Sequence, residues 1–357
     1  MKGRVDNPPQ VNNLPHNGKK RSHTMKKILT FALLAATAFA AEGYKVISKI
    51  KIGGEGRWDY VAFDSVNRRL YVSHNSSVEV VDPDAGKVVG TIPGLHGVHG
   101  IAIANDLGKG FISNGNSNSV TIFDLKTLAK SGEPATGTGP DAVCYEPKTK
   151  RVFSINHRGG DATSIDAKTG EVLKSFPIGA SAEFCQADGA GKLYVNIESS
   201  SEVVEIDAAS NTVTRRTSIL PCEGPSGLAI DVKAKRLFSV CDNVMAVTDI
   251  PTFKVIAKPV IGNGPDAAGF DSTLGLAFSS NGGTGTLSIV KLVNGTYQTV
   301  DTVTTERGAR TMTVDEKLHR VYLLAAEYGP APEAKAGEKK GRAPVLPDSF
   351  HVLVVGK

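Results

Sequence analysis

The sequence predicts an all-β protein, a seven-bladed β-propeller of four-stranded blades. Three observations support this fold class. A degenerate pattern returns seven times at intervals of about 40 residues. Each copy contains four short apolar or alternating runs separated by Gly, Pro, Asn, Asp and Lys turns, a pattern typical of short antiparallel strands. The two ends of the chain supply complementary parts of one copy.

The register of the repeat is set by the residue that precedes the first strand of each copy, which we call the anchor. The anchors, with successive spacings of 40, 42, 42, 43, 40 and 44 residues, are Asp59, His99, Asp141, Glu183, Ser226, Asp266 and Arg310. The second strand follows at a nearly fixed distance, since Tyr71 and Phe111 each lie 12 positions after their anchors. The third strand mostly ends in aspartate, as at Asp82 and Asp124. A unit of this size cannot bury both faces of its sheet alone, so we expect the units to pack radially around a channel.

The chain ends predict how the ring closes. The seventh copy reaches the C-terminus with only three strands, the last of them within Phe350–Val355. The alternating segment Lys45–Ile52 precedes the first anchor and has no place in the first copy. We therefore expect this N-terminal strand to complete the last blade, which leaves no open sheet at the join.

Two local motifs carry a resemblance to a known family. They are the second strand Leu70-Tyr71-Val72 and the Gly-Pro-Asp turns that end at Asp141 and Asp266. Together with the repeat length, they resemble the YVTN-repeat, YncE-like propellers of the quinoprotein amine dehydrogenase heavy-chain-like superfamily. The resemblance covers roughly residues 43–357 and implies a binding scaffold without a particular chemistry, because this fold carries many functions.

The N-terminal residues predict export. Residues 25–40 have the features of a secretory signal peptide: a basic start, an apolar core and the small-residue site Ala38-Phe39-Ala40. We expect cleavage after Ala40, a periplasmic or secreted location, and a mature domain of residues 41–357 without a transmembrane segment. Residues 1–24 are polar and rich in Pro and Asn, and we interpret them as a disordered upstream or non-native extension.

Charge argues against nucleic acid as a partner. The whole chain has 41 basic and 36 acidic residues, a formal charge of +5. Seven of the basic residues and one acidic residue precede Ala41, so the mature chain has 34 basic and 35 acidic residues. The apparent basicity therefore belongs to the discarded segment. We expect a monomer that binds a small molecule or a protein of the cell envelope.

The chain has four cysteines, and an oxidising compartment would allow them to form disulfides. Cys222 precedes the fifth anchor and Cys241 ends the second strand of the same copy, so we expect these two to be bonded. Cys144 and Cys185 lie inside neighbouring innermost strands, where we expect them to pack as small apolar residues.

In a propeller, the loop that enters the innermost strand and the loop after the second strand open on the same face. The anchors and the second-strand ends therefore converge at one mouth of the channel, and such concave mouths are common ligand sites. The candidate ligand-binding residues selected on this basis are Trp58, Asp59, His74, His99, Asn114, Asp141, His157, Glu183, Asn196, Asp266, Arg310 and Glu327.

Comparison between the copies separates structural residues from candidates for function. Aspartate recurs at three anchors, where it can be a simple turn former that bonds its own backbone. His99, Glu183 and Arg310 replace it with long or titratable groups. Trp58, the only tryptophan, could clamp an anionic or planar ligand together with Arg57, or it could pack between blades.

A metal is the one cofactor that the candidate residues suggest. His74, His99 and His157 map to the same face as Glu183 and the anchor aspartates, and imidazole and carboxylate groups together can bind a divalent metal. Their spacing reflects the blade period and is not a metal motif, so the alternative is that these histidines are solvated.

One segment interrupts the repeat. Residues 329–348, rich in Pro, Ala and Lys, lie between the second and third strands of the last copy and predict a flexible loop on the candidate face. Such a long loop is either a functional lid or contact segment, or simply disordered.

These observations leave three functions open. The first is a secreted scaffold that binds a ligand or a protein at the channel mouth. The second is an enzyme, either a metal-assisted hydrolase of the lactonase kind or part of a quinoprotein-type redox system, although the chain contains no nucleophile elbow, catalytic triad order or phosphate loop. The third is an envelope structural protein, which the single domain and the absence of an anchoring motif argue against.

Overall fold

A computed structural model describes residues 43–54, 57–331 and 343–357, which form seven four-stranded antiparallel sheets and two short 3-10 helices. The sequence therefore predicts the fold class correctly. The predictions made for residues 1–24 and 25–40 and for most of the 329–348 insertion lie outside the described residues. No helix within the described ranges is long and apolar enough to cross a membrane.

The blades follow one another along the chain, and the first strand of each lies innermost, against the channel. In chain order, the N-terminal strand is β1 Lys45–Lys51, and it is followed by blade 1 (β2 Val61–Asp64, β3 Arg69–His74, β4 Ser77–Asp82 and β5 Lys87–Ile92) and blade 2 (β6 Val98–Ala104, β7 Lys109–Asn114, β8 Ser119–Asp124 and β9 Lys130–Gly132). Next come blade 3 (β10 Pro140–Glu146, β11 Arg151–Asn156, β12 Asp161–Asp166 and β13 Val172–Pro177) and blade 4 (β14 Ala182–Ala187, β15 Lys192–Ile197, β16 Glu202–Asp207 and β17 Thr212–Ser218). The last three are blade 5 (β18 Leu228–Asp231, β19 Arg236–Cys241, β20 Val244–Asp249 and β21 Lys254–Ala257), blade 6 (β22 Pro265–Asp271, β23 Leu276–Asn281, β24 Thr286–Val293 and β25 Thr296–Thr304) and blade 7 (β26 Met312–Asp315, β27 Arg320–Ala325 and β28 His351–Gly356). The 3-10 helices are η1 Asn105–Leu107 and η2 Glu198–Ser200.

The N-terminal strand closes the ring, as the sequence predicts. Strand β1 pairs antiparallel with β28, and Lys45 lies opposite Gly356 while Lys51 lies opposite His351. A buried ion pair joins blades 1 and 7 at the other face, where Arg68 Nη2 lies 2.8 Å from Oδ2 of the fully buried Asp315. The last blade therefore contains the N-terminal strand that leads into blade 1, and a charge-assisted hydrogen bond joins the two blades directly.

The repeated aspartates at the ends of the third strands have a structural role. Asp124 Oδ1 accepts hydrogen bonds from the backbone N–H groups of Lys126 and Thr127, at 3.0 and 2.7 Å. This Asx turn closes the hairpin to the outer strand. The same arrangement recurs at Asp82, Asp166 and Asp207, whereas Asp249 accepts the backbone N–H of Thr252 alone, because Pro251 has no N–H.

Two disulfides tie the scaffold together. One joins Cys222 to Cys241 within blade 5, the pair selected from the sequence. The other joins Cys144 of β10 to Cys185 of β14, so the prediction that these two only pack as apolar residues was wrong. The physical reason is that innermost strands of adjacent blades converge on the channel. Their Cα atoms lie 6.2 Å apart, within reach of a disulfide.

Candidate functional site

Six of the seven anchors line one cavity at a mouth of the central channel. The cavity has a volume of about 410 Å³ and opens where the innermost strands begin. Its lining residues are Asp59, Tyr60, His99, Gly115, Asn116, Gly139, Pro140, Asp141, His157, Arg158, Glu183, Asp266 and Arg310. We call this cavity the mouth. The channel itself, about 940 Å³, is lined by the innermost strands, and Tyr60 borders both spaces.

The first group of side chains at the mouth is centred on His99. Its Nδ1 lies 2.6 Å from Asp59 Oδ2 and 3.2 Å from Asp141 Oδ1, so one imidazole nitrogen faces two carboxylates from neighbouring blades. The Tyr60 hydroxyl donates a hydrogen bond to the other oxygen of Asp141, at 3.3 Å. Each of these groups is carried by the start of an innermost strand, which the packed blade behind it holds in place.

The second group adjoins the first through Asp141. His157, which follows the second strand of blade 3, has its Nδ1 2.9 Å from Glu183 Oε1 without the angle of a hydrogen bond. Asp59, His99 and Asp141 form one triad of possible ligands, and Asp141, His157 and Glu183 form another. Within each triad, the donor atoms all lie within 4.8 Å of one another. The two triads share the carboxylate of Asp141.

Arg310 forms the opposite side of the mouth. Its Nη1 lies 2.8 Å from Asp266 Oδ2, and its Nη2 lies 3.5 Å from Asp59 Oδ1. Its backbone carbonyl accepts a hydrogen bond from the Ser280 hydroxyl. Asp59 therefore presents one oxygen to His99 and the other to Arg310.

Serines of the second strands position the anchors, and they were not among the candidates predicted from the sequence. Ser73 Oγ accepts the backbone N–H of Asp59 at 2.8 Å, and the buried Ser113 donates to the backbone carbonyl of Asp141. A signal for this role was present in the sequence, because a serine lies 14 residues after the first, second and sixth anchors.

Tyr60 and Arg158 are further mouth residues that were not among the candidates predicted from the sequence. Tyr60 directly follows an anchor, where most copies have a small residue, and only Phe184 is comparably large. The two rings meet with centroids 5.2 Å apart. Comparing the residue after the anchor in all seven copies would have selected both Tyr60 and Phe184. Arg158 follows His157 and donates through Nη2 to the carbonyl of Gly115 at 2.6 Å.

Several candidates selected from the sequence do not lie at the mouth. Trp58 stacks on Phe350, with ring centroids 4.7 Å apart, in the apolar contact between blades 1 and 7. Of the two roles considered for this tryptophan, it therefore has the one of packing between blades. His74 packs against the same phenylalanine at 4.9 Å and is outside both triads. Glu327 is exposed at the base of the insertion, where its carbonyl accepts the N–H of Leu346.

The two candidate asparagines are buried inside blades. Asn114 donates to Thr121 Oγ1 at 2.9 Å, and Asn196 donates to the carbonyls of Ser226 and Gly227 at 3.0 Å. Both side chains are fully buried and use their amide groups within the scaffold. The described ends of the insertion pair with each other through Tyr328 and Val345.

Crowding of carboxyls at the mouth makes them hard to ionise. Burial raises the pKa of Glu183 to about 9, and the charges of Asp141 and Asp266 act in the same direction. Burial likewise raises the pKa of Asp141 to about 6, reinforced by the charge of Asp59. For Asp266, burial raises the pKa to about 6 against the opposing charge of Arg310. In the absence of a cation, the mouth is therefore electrostatically unfavourable at neutral pH.

The basic groups of the mouth respond to the same charges. Burial alone would lower the pKa of His99, but the hydrogen bond with Asp59 and the charge of Asp141 outweigh it and raise the pKa above its ordinary value. For Tyr60, burial and then the charge of Asp141 raise the pKa well above its ordinary value, so the hydroxyl keeps its proton.

Comparison with known proteins supports the fold and leaves the family open. No protein-family model matches the chain, and no curated protein matches it in sequence. A structure of hydrazine synthase from Kuenenia stuttgartiensis is similar at a TM-score of 0.67 and 16% identity, over 80% of this chain and 95% of that chain. A structure of U3-55K is similar at a TM-score of 0.70 and 7% identity, over 87% of this chain and 98% of that one. At these identities, the similarity concerns the propeller alone.

The raised pKa values predict how the stability of the metal-free protein depends on pH. The folded state holds protons on Asp141, Asp266 and Glu183 more tightly than the unfolded chain, whose carboxyls titrate near pH 4. Stability from these groups is therefore complete at low pH and is lost as pH rises through about 6 and towards about 9. We expect the melting temperature in EDTA to fall by about 5 °C between about pH 5 and pH 8, measured by scanning calorimetry.

A neutral variant provides the control for this pH dependence. Glu183→Gln removes the mouth carboxyl with the largest rise in pKa, so its melting temperature should change less with pH than that of the natural protein. Carboxyls with lowered pKa values, such as Asp166, act in the opposite direction only below about pH 4. A metal-free protein whose melting temperature stays constant or rises over this pH range would contradict the electrostatic description of the mouth.

Proposed function

We propose that the protein is an exported binding protein that holds divalent cations at the mouth. The observation that supports this most is the sharing of Asp141 between two triads of closely spaced nitrogen and oxygen donors. Carboxylates with raised pKa values are stabilised when a cation replaces their protons. The same crowding that is unfavourable in the metal-free protein would therefore favour cation binding.

The donor set indicates the class of cation. Each triad combines one imidazole nitrogen with two carboxylates. Calcium and magnesium sites are typically built from oxygen donors alone, whereas imidazole mixed with carboxylate suits zinc, manganese or iron. Three protein donors leave coordination positions open for water or a ligand in the cavity of about 410 Å³. We therefore propose a transition-metal site that is open towards the cavity.

Export is part of the proposal and has two supports. Residues 25–40 have the pattern of a signal peptide, and the described residues contain two disulfides with no free cysteine among them. Disulfides persist mainly in oxidising compartments such as the periplasm. The resemblance to YVTN-repeat propellers, which is itself still a prediction, agrees with a binding scaffold in this location.

Metal analysis tests the proposed function. Untagged protein should contain bound transition metal, and after EDTA treatment it should bind Zn²⁺ or Mn²⁺ in calorimetric titrations. His99→Ala removes a donor of one triad and Glu183→Ala a donor of the other, so each should weaken binding by at least about tenfold. Glu171→Ala, which removes an exposed carboxylate of the blade 3 hairpin that does not line the mouth, should change nothing. Protein without metal, and without a thermal shift on adding these ions, would refute the proposal.

A further inference from the structure

Arg310 is a charged mouth residue to which cation binding gives no role. It belongs to neither triad, yet it replaces the turn former found at other anchors. Its side chain is 46% exposed, so it is open to the cavity that it lines. A guanidinium has five N–H donors in a planar fork, and the ion pairs with Asp266 and Asp59 engage Nη1 and Nη2 with one carboxylate oxygen each. Donors therefore remain for a ligand.

Asp59 connects Arg310 directly to the proposed cation. Its Oδ2 faces His99 at 2.6 Å and belongs to the first triad, while its Oδ1 faces Arg310 Nη2 at 3.5 Å. A cation held by Oδ2 and the guanidinium beside Oδ1 would therefore lie on either side of one carboxylate group. A second carboxylate, or another oxyanion of similar span, can bridge the cation and the guanidinium in the same way as Asp59 does.

The charge of the mouth points to the sign of that group. The lining residues include four carboxylates, Asp59, Asp141, Glu183 and Asp266, and two guanidinium groups, Arg158 and Arg310. With all four carboxyls ionised and the histidines neutral, as ligation of a cation requires, these groups sum to −2, and one divalent cation in each triad would make the mouth +2. A positive, partly enclosed site favours an anion. Both arginines lie on the cavity side, where such an anion would bind.

We propose that the cation-loaded mouth binds a small oxyanion group, carboxylate or phosphate, between the cation and the guanidinium of Arg310. The proposal rests on the proposed function, because without a cation the carboxyls of the mouth leave no excess of positive charge to hold an anion. Bidentate hydrogen bonding from arginine to a planar or tetrahedral oxyanion is strong and directional. The cavity volume of about 410 Å³ lies in the range of small-molecule sites.

Calorimetric titration of manganese-loaded protein with inorganic phosphate, and separately with succinate, tests this inference and distinguishes the two oxyanions. At least one of them should bind the loaded protein, and neither should bind after EDTA treatment. Arg310→Ala should weaken that binding by at least about tenfold, and Arg310→Lys, which keeps the charge and loses the fork, should have an intermediate effect. Arg216→Ala, which removes an exposed arginine of blade 4 paired with Glu202, should have no effect.

The outcomes separate this inference from the function on which it rests. Arg310 donates no ligand atom to either triad, so both Arg310 variants should still bind Mn²⁺. Normal manganese binding with no affinity for either oxyanion would overturn the inference and leave the proposed function intact. Oxyanion binding that is equal in the natural protein and in Arg310→Ala would overturn it as well. Failure of the natural protein to bind Mn²⁺ or Zn²⁺ would refute both proposals.

Discussion

Replacing Asp141 with asparagine is expected to weaken cation binding strongly at both triads. Asp141 is the only residue that the two triads share, and its Oδ1 lies 3.2 Å from His99 Nδ1. Asparagine keeps the shape and one carbonyl oxygen, but it cannot supply a negative charge to either cation. We expect the affinity for Zn²⁺ or Mn²⁺ to fall by at least about a hundredfold, more than for any variant that alters one triad.

The same substitution should stabilise the metal-free protein. Burial and the charge of Asp59 raise the pKa of Asp141 to about 6, so at neutral pH the folded state carries an unfavourable ionised carboxylate. The asparagine side chain has no such charge, and we expect the free energy of unfolding in EDTA to rise by about 1 kcal/mol. A variant that folds more stably and has lost its ligand is typical of a residue retained for function.

Asp266→Asn is the matched control for this prediction. Asp266 also lines the mouth and also has a pKa raised to about 6, but it belongs to neither triad. Calorimetric titration of both variants separates ligation from general charge, because Asp266→Asn should keep most of the affinity for metal. Equal losses in the two variants would show that only the summed negative charge matters, and the assignment of Asp141 as a shared ligand would then be wrong.

The fold and part of the site could be predicted because both follow from the repeat. Its register places Asp59, His99 and Asp141 at the starts of successive innermost strands, and strands that radiate from one channel bring those starts together. The pairing of Lys45–Lys51 with the last blade followed in the same way from the missing strand. Periodicity along the chain becomes proximity in space, so residues about 40 positions apart could be assigned to one cavity.

The candidates that lie elsewhere show what the register does not determine. Side chains alternate between the two faces of a strand, so a shift of one position changes the surroundings of a residue completely. Asn114 ends its strand and points into blade 2, whereas the next residue, Gly115, lines the mouth. His157, one position past the equivalent Asn156, lines the mouth for the same reason.

The inner disulfide could not be predicted because it depends on the distance between blades. The spacing of 41 residues between Cys144 and Cys185 is one blade period, which is equally compatible with two separate apolar contacts. Adjacent innermost strands are not hydrogen-bonded to each other, since each belongs to its own sheet. How closely two such strands approach is decided by the side chains between blades, and the bond between these cysteines now fixes that distance at one point.

This disulfide is expected to set the geometry of the second triad. Cys144 follows Asp141 by three residues in β10, and Cys185 follows Glu183 by two in β14. The bond therefore links the two strands that carry two of the three donors of that triad. In the double variant Cys144→Ser, Cys185→Ser, the blades are joined there only by packing, and we expect the affinity for Zn²⁺ or Mn²⁺ to fall by about tenfold.

The second disulfide provides a control that is matched in stability. Chain-entropy estimates give a loss of about 4 kcal/mol for opening the 41-residue loop and about 3 kcal/mol for opening the 19-residue loop between Cys222 and Cys241. Both double variants should therefore have similarly lowered melting temperatures, but Cys222→Ser, Cys241→Ser should keep its affinity for metal because blade 5 contributes no donor to either triad. Equal metal affinities in the two variants would show that packing alone positions Asp141 and Glu183. A loss confined to the Cys144, Cys185 variant would show that a covalent bond between blades positions the ligands.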